Sequence, residues 1–275
     1  MITIKSKLAG FVPYTMVFFP NHAVLFELIG NLEAIEMVRF FWTSIELLDL
    51  GRVVRHEKTT TICIDLVTTL EFIENGVAKK TRNEIRQAER LGQRVTIAHR
   101  SGGLFEEFLA LYRGLARWKN VSALDYGRLL RYGPHVDTFI AYLDHQPACG
   151  HILLRDSDTG RARLIYSANR RFEDSERVRL QGTLNRFLHW REICAYHEQG
   201  FSTYDLGGIQ PDRTNGITRF KMSFGGQIVN EHTYLCAGTP WLGRAARGVF
   251  ETFSRRGRQA RALASSSSHR QSPSN

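Results

Sequence analysis

The sequence lacks any cysteine pair at metal or redox spacing: Cys63, Cys149, Cys194 and Cys236 lie at least 42 residues apart. That excludes a zinc knuckle, a CxxC redox motif and a disulfide framework, and it fits free thiols in a reducing compartment. No run approaches the ~18–20 uncharged apolar residues that cross a bilayer. No G-x-S-x-G elbow supports a serine nucleophile. The histidines give no metal-ligand spacing, since His189 and His197 stand eight apart with no third ligand in view. Acidic residues are nearly missing from one stretch: residues 241–275 hold seven arginines against Glu251 alone, which is +6 of the total +10. The basic excess therefore describes a tail, and the body has to be read locally.

What is present reads as globular. Apolar residues make up 43% and charged residues 23% of 275 positions, enough for one large domain or one domain with a partial second. Lys5 and Lys7 precede the apolar run Leu8–Phe19, but Pro13 interrupts it and Asn21-His22-Ala23 is a poor cleavage site, so the expectation is a cytoplasmic protein. Residues 1–58 read as an extension, with a strand at Tyr14–Phe19 and helical apolar spacing over Glu33–Leu50. From Thr59 the pattern sharpens into a strand (Thr60–Leu66), a helical stretch (Thr69–Leu91), a short strand (Arg94–Ala98) and an amphipathic helix (Leu104–Trp118). Three strand-like runs follow, Thr138–Leu143, Ala148–Arg155 and Ala162–Ala168, parted by hairpin punctuation. A long helix (Ser175–Glu198), a strand (Thr203–Leu206), a loop (Gly207–Gly216) and a last strand near Ile228–Leu235 complete the body. Antiparallel hairpins feeding a helical crossover predict an α+β fold of α/β layers, a mixed and mostly antiparallel sheet flanked by helices.

Two constellations can carry chemistry. In Lys79–Gly92 the arginines Arg82, Arg86 and Arg90 recur at i, i+4 opposite an apolar stripe of Ile85, Ala88 and Leu91. Such a stripe either binds an anion, for which the guanidinium fork suits phosphate, or is a solvated face. The second is Tyr204-Asp205-Leu206-Gly207-Gly208-Ile209 followed by Gly216–Gly226 with Phe220-Lys221 inside it. Glycines at a strand end allow close backbone approach, and a lone lysine beside them offers a cation to a carbonyl oxygen gaining charge. Read plainly, both glycine pairs are turns and Lys221 an exposed charge.

The segment RNEIRQAERLG, the helix portion Asn185–Trp190 and above all YDLGGI…GITRFKMSFGG resemble the FemABX peptidyltransferases of the GNAT acyltransferase superfamily, over roughly Thr59–Tyr234. The resemblance implies a GNAT-like fold for residues 59–240. It implies transfer of an aminoacyl group from aminoacyl-tRNA to an amine, a peptidoglycan precursor or another metabolite, with no further cofactor. It places Lys221 and Phe220 at the transferred acyl group and Arg82 and Arg86 among the charges holding polyanionic substrate. Asp205 or Tyr204 would take or orient the amine proton, and Gly207 and Gly208 would line the substrate. Family members have two such halves, so residues 1–58 would be a remnant of the first, or a homodimer would replace it. The GNAT pyrophosphate pattern is half present as Arg179-Leu180-Gln181-Gly182-Thr183-Leu184, where Leu184 replaces a small residue. That crowding argues against tight pyrophosphate docking, and Arg179 and Gly182 are the local support for the alternative, an acyl-CoA-dependent N-acyltransferase.

Residues 241–275 read as a basic amphipathic helix to about 263, then a low-complexity end. Such a helix can lie at the inner face of a membrane or on RNA. A third reading is thus a non-catalytic RNA- or membrane-surface-binding protein.

Overall fold

The computed structural model describes residues 1–8, 10–47, 51–101, 105–119, 123–210 and 215–245. Along the chain come strand β1 (Ile2–Leu8), β2 (Val12–Phe18), helix α1 (His22–Gly30), β3 (Met37–Thr43), β4 (Val53–Asp65), α2 (Leu70–Gly76) and α3 (Lys79–Arg90). Then follow β5 (Val95–Ser101), α4 (Phe105–Lys119), α5 (Tyr126–Tyr132), β6 (Val136–Leu143), β7 (Gln146–Asp156) and β8 (Arg161–Asn169). The series closes with α6 (Ser175–Glu198), β9 (Thr203–Ile209), α7 (Gly216–Met222) and β10 (Gln227–Ala237). The chain forms two compact units. One holds Met1–Ile2, Thr59–Leu115 and Ala123–Glu231; the other holds Thr3–Lys58, Ala116–Ser122 and the chain from His232 on, as far as these are described.

In the larger unit the strands run β4-β9-β8-β7-β6-β5. All neighbours are antiparallel except β8 and β9, which are parallel because α6 carries the chain over between them. The β6–β7 hairpin turns on Asp144 (φ 49°) and His145 (φ 63°), two left-handed residues in a row. That is the geometry whose twist matches paired strands. On one face α3 and α6 bury Ile85, Ala88, Leu180, Leu184, Leu188 and Ile193 against Ile62, Phe139, Cys149 and Tyr204. Against β7, α4 sets Phe108 and Leu111 within 3.1 and 3.3 Å of where a side chain on Gly150 would begin, so glycine there lets the helix close on the strand.

The stretch from Thr69 to Leu91 is two helices. Thr69 caps α2 through Phe72 N at 3.2 Å, and the extended backbone at Val77 and Ala78 ends it. Ala78 N–H then bonds Ser223 C=O at 2.8 Å, tying the break to the residues after α7.

The smaller unit orders its strands β1-β2-β3-β10, with β2/β3 parallel and β3/β10 antiparallel. It corrects the helix expected over Glu33–Leu50. Residues 37–43 are β3, with buried residues on both sides, because a Val/Phe/Trp/Thr run with a strand partner on each edge satisfies its backbone in ladders. The helix lies earlier at α1, where the Asn21 side chain accepts from Val24 N at 3.0 Å. The N-terminal apolar run is strand, divided between β1 and β2. The basic helix expected at 240–263 is described only over 240–245, which are helical; its remainder and the tail lie outside the described residues.

Candidate active site

The chemistry-bearing residues gather where β8 and β9 part. Their parallel ladder is registered only for Arg161↔Thr203, Ala162↔Tyr204 and Arg163↔Asp205, although the strands run on to Asn169 and Ile209. Just past the last pair stands Gly207 at φ +78°, where a Cβ would meet Leu164 O at 2.7 Å and Lys221 Nζ at 3.5 Å. Only glycine fits that conformation and that gap. Lys221, on α7, donates from Nζ to Gly208 C=O at 2.8 Å. Its pKa is lowered to about 8, by burial first, with Arg163 reinforcing and Asp205 opposing. The structure thus brings Lys221, Gly207 and Gly208 together. The later glycine pair serves packing: a Cβ on Gly225 would lie 2.2 Å from Gly76 O.

Tyr204 and Asp205 point to opposite faces of β9, and both are fully buried. The Asp205 carboxylate is enclosed by Arg161, Arg163 (2.5 Å), the Thr61 hydroxyl and Gly207 N–H (2.8 Å). Glu231 completes a square of two arginines and two carboxylates, 2.6 Å from Arg163. Burial would raise the Asp205 carboxyl, but Arg163 and Arg161 hold it below the usual carboxylate range. Its oxygens are filled as acceptors, so the geometry gives it the shaping of the turn at Gly207 rather than a proton to carry.

Tyr204 belongs to a second buried cluster on the α6 side. Its hydroxyl donates to Glu192 Oε2 at 2.5 Å and lies 2.7 Å from His189 Nδ1. Glu192 Oε1 is 2.7 Å from His151 Nδ1, and His151 Nε2 is 2.9 Å from Asn185 Oδ1. The two histidines and Glu192 form a buried triad of metal-ligand types. A tetrahedral ion with bonds of about 2.0–2.1 Å would hold its donors about 3.3 Å apart. The contacts here are hydrogen-bond lengths. Nothing in sequence spacing pairs His151 with α6. The available signal was Asn185, His189 and Glu192 at i, i+4, i+7 on the face of α6 that also buries Leu184 and Leu188.

Phe220, one residue before Lys221, is gripped by α6. The Arg186 guanidinium lies over its ring at 4.9 Å, the His189 ring is 5.6 Å away, and Phe224 meets it edge-on at 5.5 Å. Arg186 Nε also reaches Glu84 of α3 at 2.7 Å.

The basic helix α3 is arranged differently from the expected stripe. Arg86 pairs with Glu74 at 2.9 Å and Arg82 donates to Asn75 at 3.4 Å, so both turn toward α2. An open cleft of about 510 Å³ is lined instead by Lys79, Lys80, Asn83, Glu84 and Gln87.

Arg179 and Gly182 stand in the second turn of α6, not at its start. Arg179 Nε bonds back to Ser175 C=O at 3.2 Å, and Gly182 C=O accepts from Arg186 at 3.1 Å. The helix N-terminus carries its own anions: Asp174 caps Arg177 N at 2.8 Å, and Glu176 sits in the first turn. Asp174 occupies the positive end of the helix that would hold a pyrophosphate, while Glu176 turns away to Arg94 at 3.1 Å, so the residues present do not fit one there.

The site is thus framed by two parallel strands that part at one end, with a lysine at the opening. Residues 76–222 match the acetyltransferase (GNAT) domain model, just over half of the chain, and the protein belongs to that family. A search of curated proteins finds no match. Among solved structures it resembles FemX, with TM-score 0.61 and 11% identity over 86% of this chain and 84% of that one. It also resembles the C-terminal domain of a lysylphosphatidylglycerol synthetase from Agrobacterium fabrum, with TM-score 0.57 and 13% identity over 85% and 80%. L-PGS from Bacillus licheniformis matches at TM-score 0.50 and 12% identity over 88% and 83%. At these identities the likeness is one of fold. Among the described residues no helix is long and apolar enough to cross a membrane.

Proposed function

We propose that this acyltransferase moves an aminoacyl group from an aminoacyl-tRNA ester to an amine. The observation that supports it most is the combination of a half-buried lysine at the open edge of β9 with an α6 N-terminus capped by Asp174: a place for a carbonyl without a seat for pyrophosphate. The amine nitrogen attacks the ester carbonyl, the carbon–oxygen bond to the tRNA ribose breaks, and the amine's proton leaves with the ribose hydroxyl or with water. Lys221 spends one N–H on Gly208 and directs the others to the carbonyl oxygen as it gains charge. Phe220 fixes the lysine's helix, and Asp205 and Tyr204 hold β9 from its two faces. Lys79 and Lys80 supply charge for the tRNA backbone. The fold neighbours' names, one of them a synthetase of an aminoacylated lipid, favour an acceptor of lipid or cell-wall class. Charged tRNA as donor fits a cytoplasmic reaction, and residues 1–58 fit the reduced first half.

The test is transfer from a labelled aminoacyl-tRNA pool to amine acceptors, beside acetyl-CoA, at one stated salt concentration. The expected outcome is tRNA-dependent label transfer that Lys221→Ala lowers by about 10²–10³ in kcat. The family's description keeps a second reading, an N-acyltransferase using acyl-CoA. Turnover of acetyl-CoA with inert aminoacyl-tRNA would establish that one instead.

A further inference from the structure

The cluster behind β9 is almost closed to solvent, yet it is built from the residues that are costliest to bury. His151, Glu192 and Tyr204 are 0% exposed, His189 1% and Asn185 9%. Apolar side chains of similar volume would stabilise this layer at least as well, so such networks are understood by the geometry they enforce. Here the geometry converges on one place. Asn185, His189 and Glu192 come from α6, His151 from β7 and Tyr204 from β9. His189 Nδ1–H donates to the Tyr204 oxygen while that hydroxyl donates to Glu192, which sets the tautomer and the tilt of the imidazole. The ring so held is the wall for α7: Phe220 and Phe224 pack on it at 5.6 and 5.3 Å. Arg186, three residues before His189 on α6, closes the other side of Phe220. Lys221 is the next residue.

We infer that Glu192, Tyr204 and His189 are positioning residues for Lys221: the buried carboxylate orients the tyrosine, the tyrosine orients the imidazole, and the imidazole seats Phe220 and with it the ammonium on Gly208. None of the three touches substrate. The inference rests on Lys221 being the group that faces the acyl carbonyl, but the seating itself is a property of the folded chain and can be read without turnover. Charge supports the arrangement. Burial first, then His151, lowers His189 to about 4, so a neutral ring faces the lysine. Glu192 is lowered to about 2, since His151 and His189 outweigh the burial that would raise it.

The experiment compares Tyr204→Phe, which removes one oxygen, and Glu192→Gln with the wild-type chain. Three quantities are read: cooperative unfolding, the pH profile of Lys221 acylation by a small anhydride followed by peptide mass spectrometry, and the transfer reaction. Seating by the network predicts folded variants in which the Lys221 labelling profile shifts while that of Lys79 does not, and in which kcat falls at least about tenfold with KM within twofold. A merely structural network predicts lower stability with the Lys221 profile and kcat unchanged in the folded variants; that result overturns the inference. If Glu192→Gln unfolds, Tyr204→Phe decides alone. If the wild-type transfers from acyl-CoA, or Lys221→Ala retains activity, the proposed function fails, yet the labelling profile still decides whether the network seats the lysine.

Discussion

Lys221 holds its proton loosely because burial beside β9 strips water from it, an effect the Asp205 carboxylate opposes and Arg163 reinforces. With a pKa of about 8, the ammonium is lost as pH rises through that value, so a reaction that needs the cation loses rate above pH ~8. The expected kcat profile has a descending limb near 8 that Lys221→Arg, charged throughout, abolishes. A rate that climbs through the same pH would make Lys221 a base and end its assignment as an electrostatic donor. Beside it, Gly207→Ala forces a side chain into a left-handed residue 2.7 Å from Leu164 O. A loss of about 1–3 kcal/mol in the denaturant-derived unfolding free energy is expected, together with loss of transfer. The lysine was legible in the sequence as a Phe-Lys pair between two glycine pairs. The distinct duties of those pairs were not, since a positive φ and a facing carbonyl are set by other strands.

Among the elements, α3 shows how a correct helix can still mislead about its exposed face. Arginines at i, i+4 marked Arg82 and Arg86, but α2 offers Asn75 and Glu74 to them, while Lys79 and Lys80 make no ion pair among the described residues. Neutralising both lysines is expected to lower the steepness of the salt dependence of tRNA binding by about 2 units of log–log slope. Arg86→Ala, which breaks an exposed pair, should leave that slope unchanged. Equal losses in the two variants would put the polyanion on the α2 side instead. The meander β6–β7–β8 and the helix α6 were legible because alternation, turn residues and caps all agree there. β3 was not, because its apolar spacing suits a helix as well as a buried strand, and only the partners β2 and β10 choose between them.

At the scale of the whole molecule, the buried cluster makes stability depend on pH. The folded chain keeps His189 near 4, below its ordinary 6.5, so its share of stability is complete above pH 6.5 and is lost as pH falls toward 4. The size is about 3 kcal/mol. Glu192, lowered from 4.5 to about 2, adds a further loss below pH 4.5. Urea unfolding at intervals from pH 7.5 to 4 should show the first decline, and His189→Gln should flatten it. An unchanged slope in that variant would mean the ring is not held neutral. The charge of the molecule is a separate matter: removing residues 246–275 takes away six arginines and Glu251 but none of the residues named at the site, and transfer by the shortened chain is expected to stay within about twofold.

The chain's own order of residues determined the layered α+β class, the run of hairpins, the long α6 and the lysine between its glycines. Each of these rests on interactions within a few residues or on a period of 2 or 3.6 along the chain. Tertiary structure alone decided that Asp205 would be spent on Arg161 and Arg163 and that His151 would meet Glu192. Those partners are 41 or more residues apart for the two buried clusters. Whether a polar side chain becomes a reactant or a buried strut depends on the low-dielectric space that folding closes around it, and no local pattern records that space.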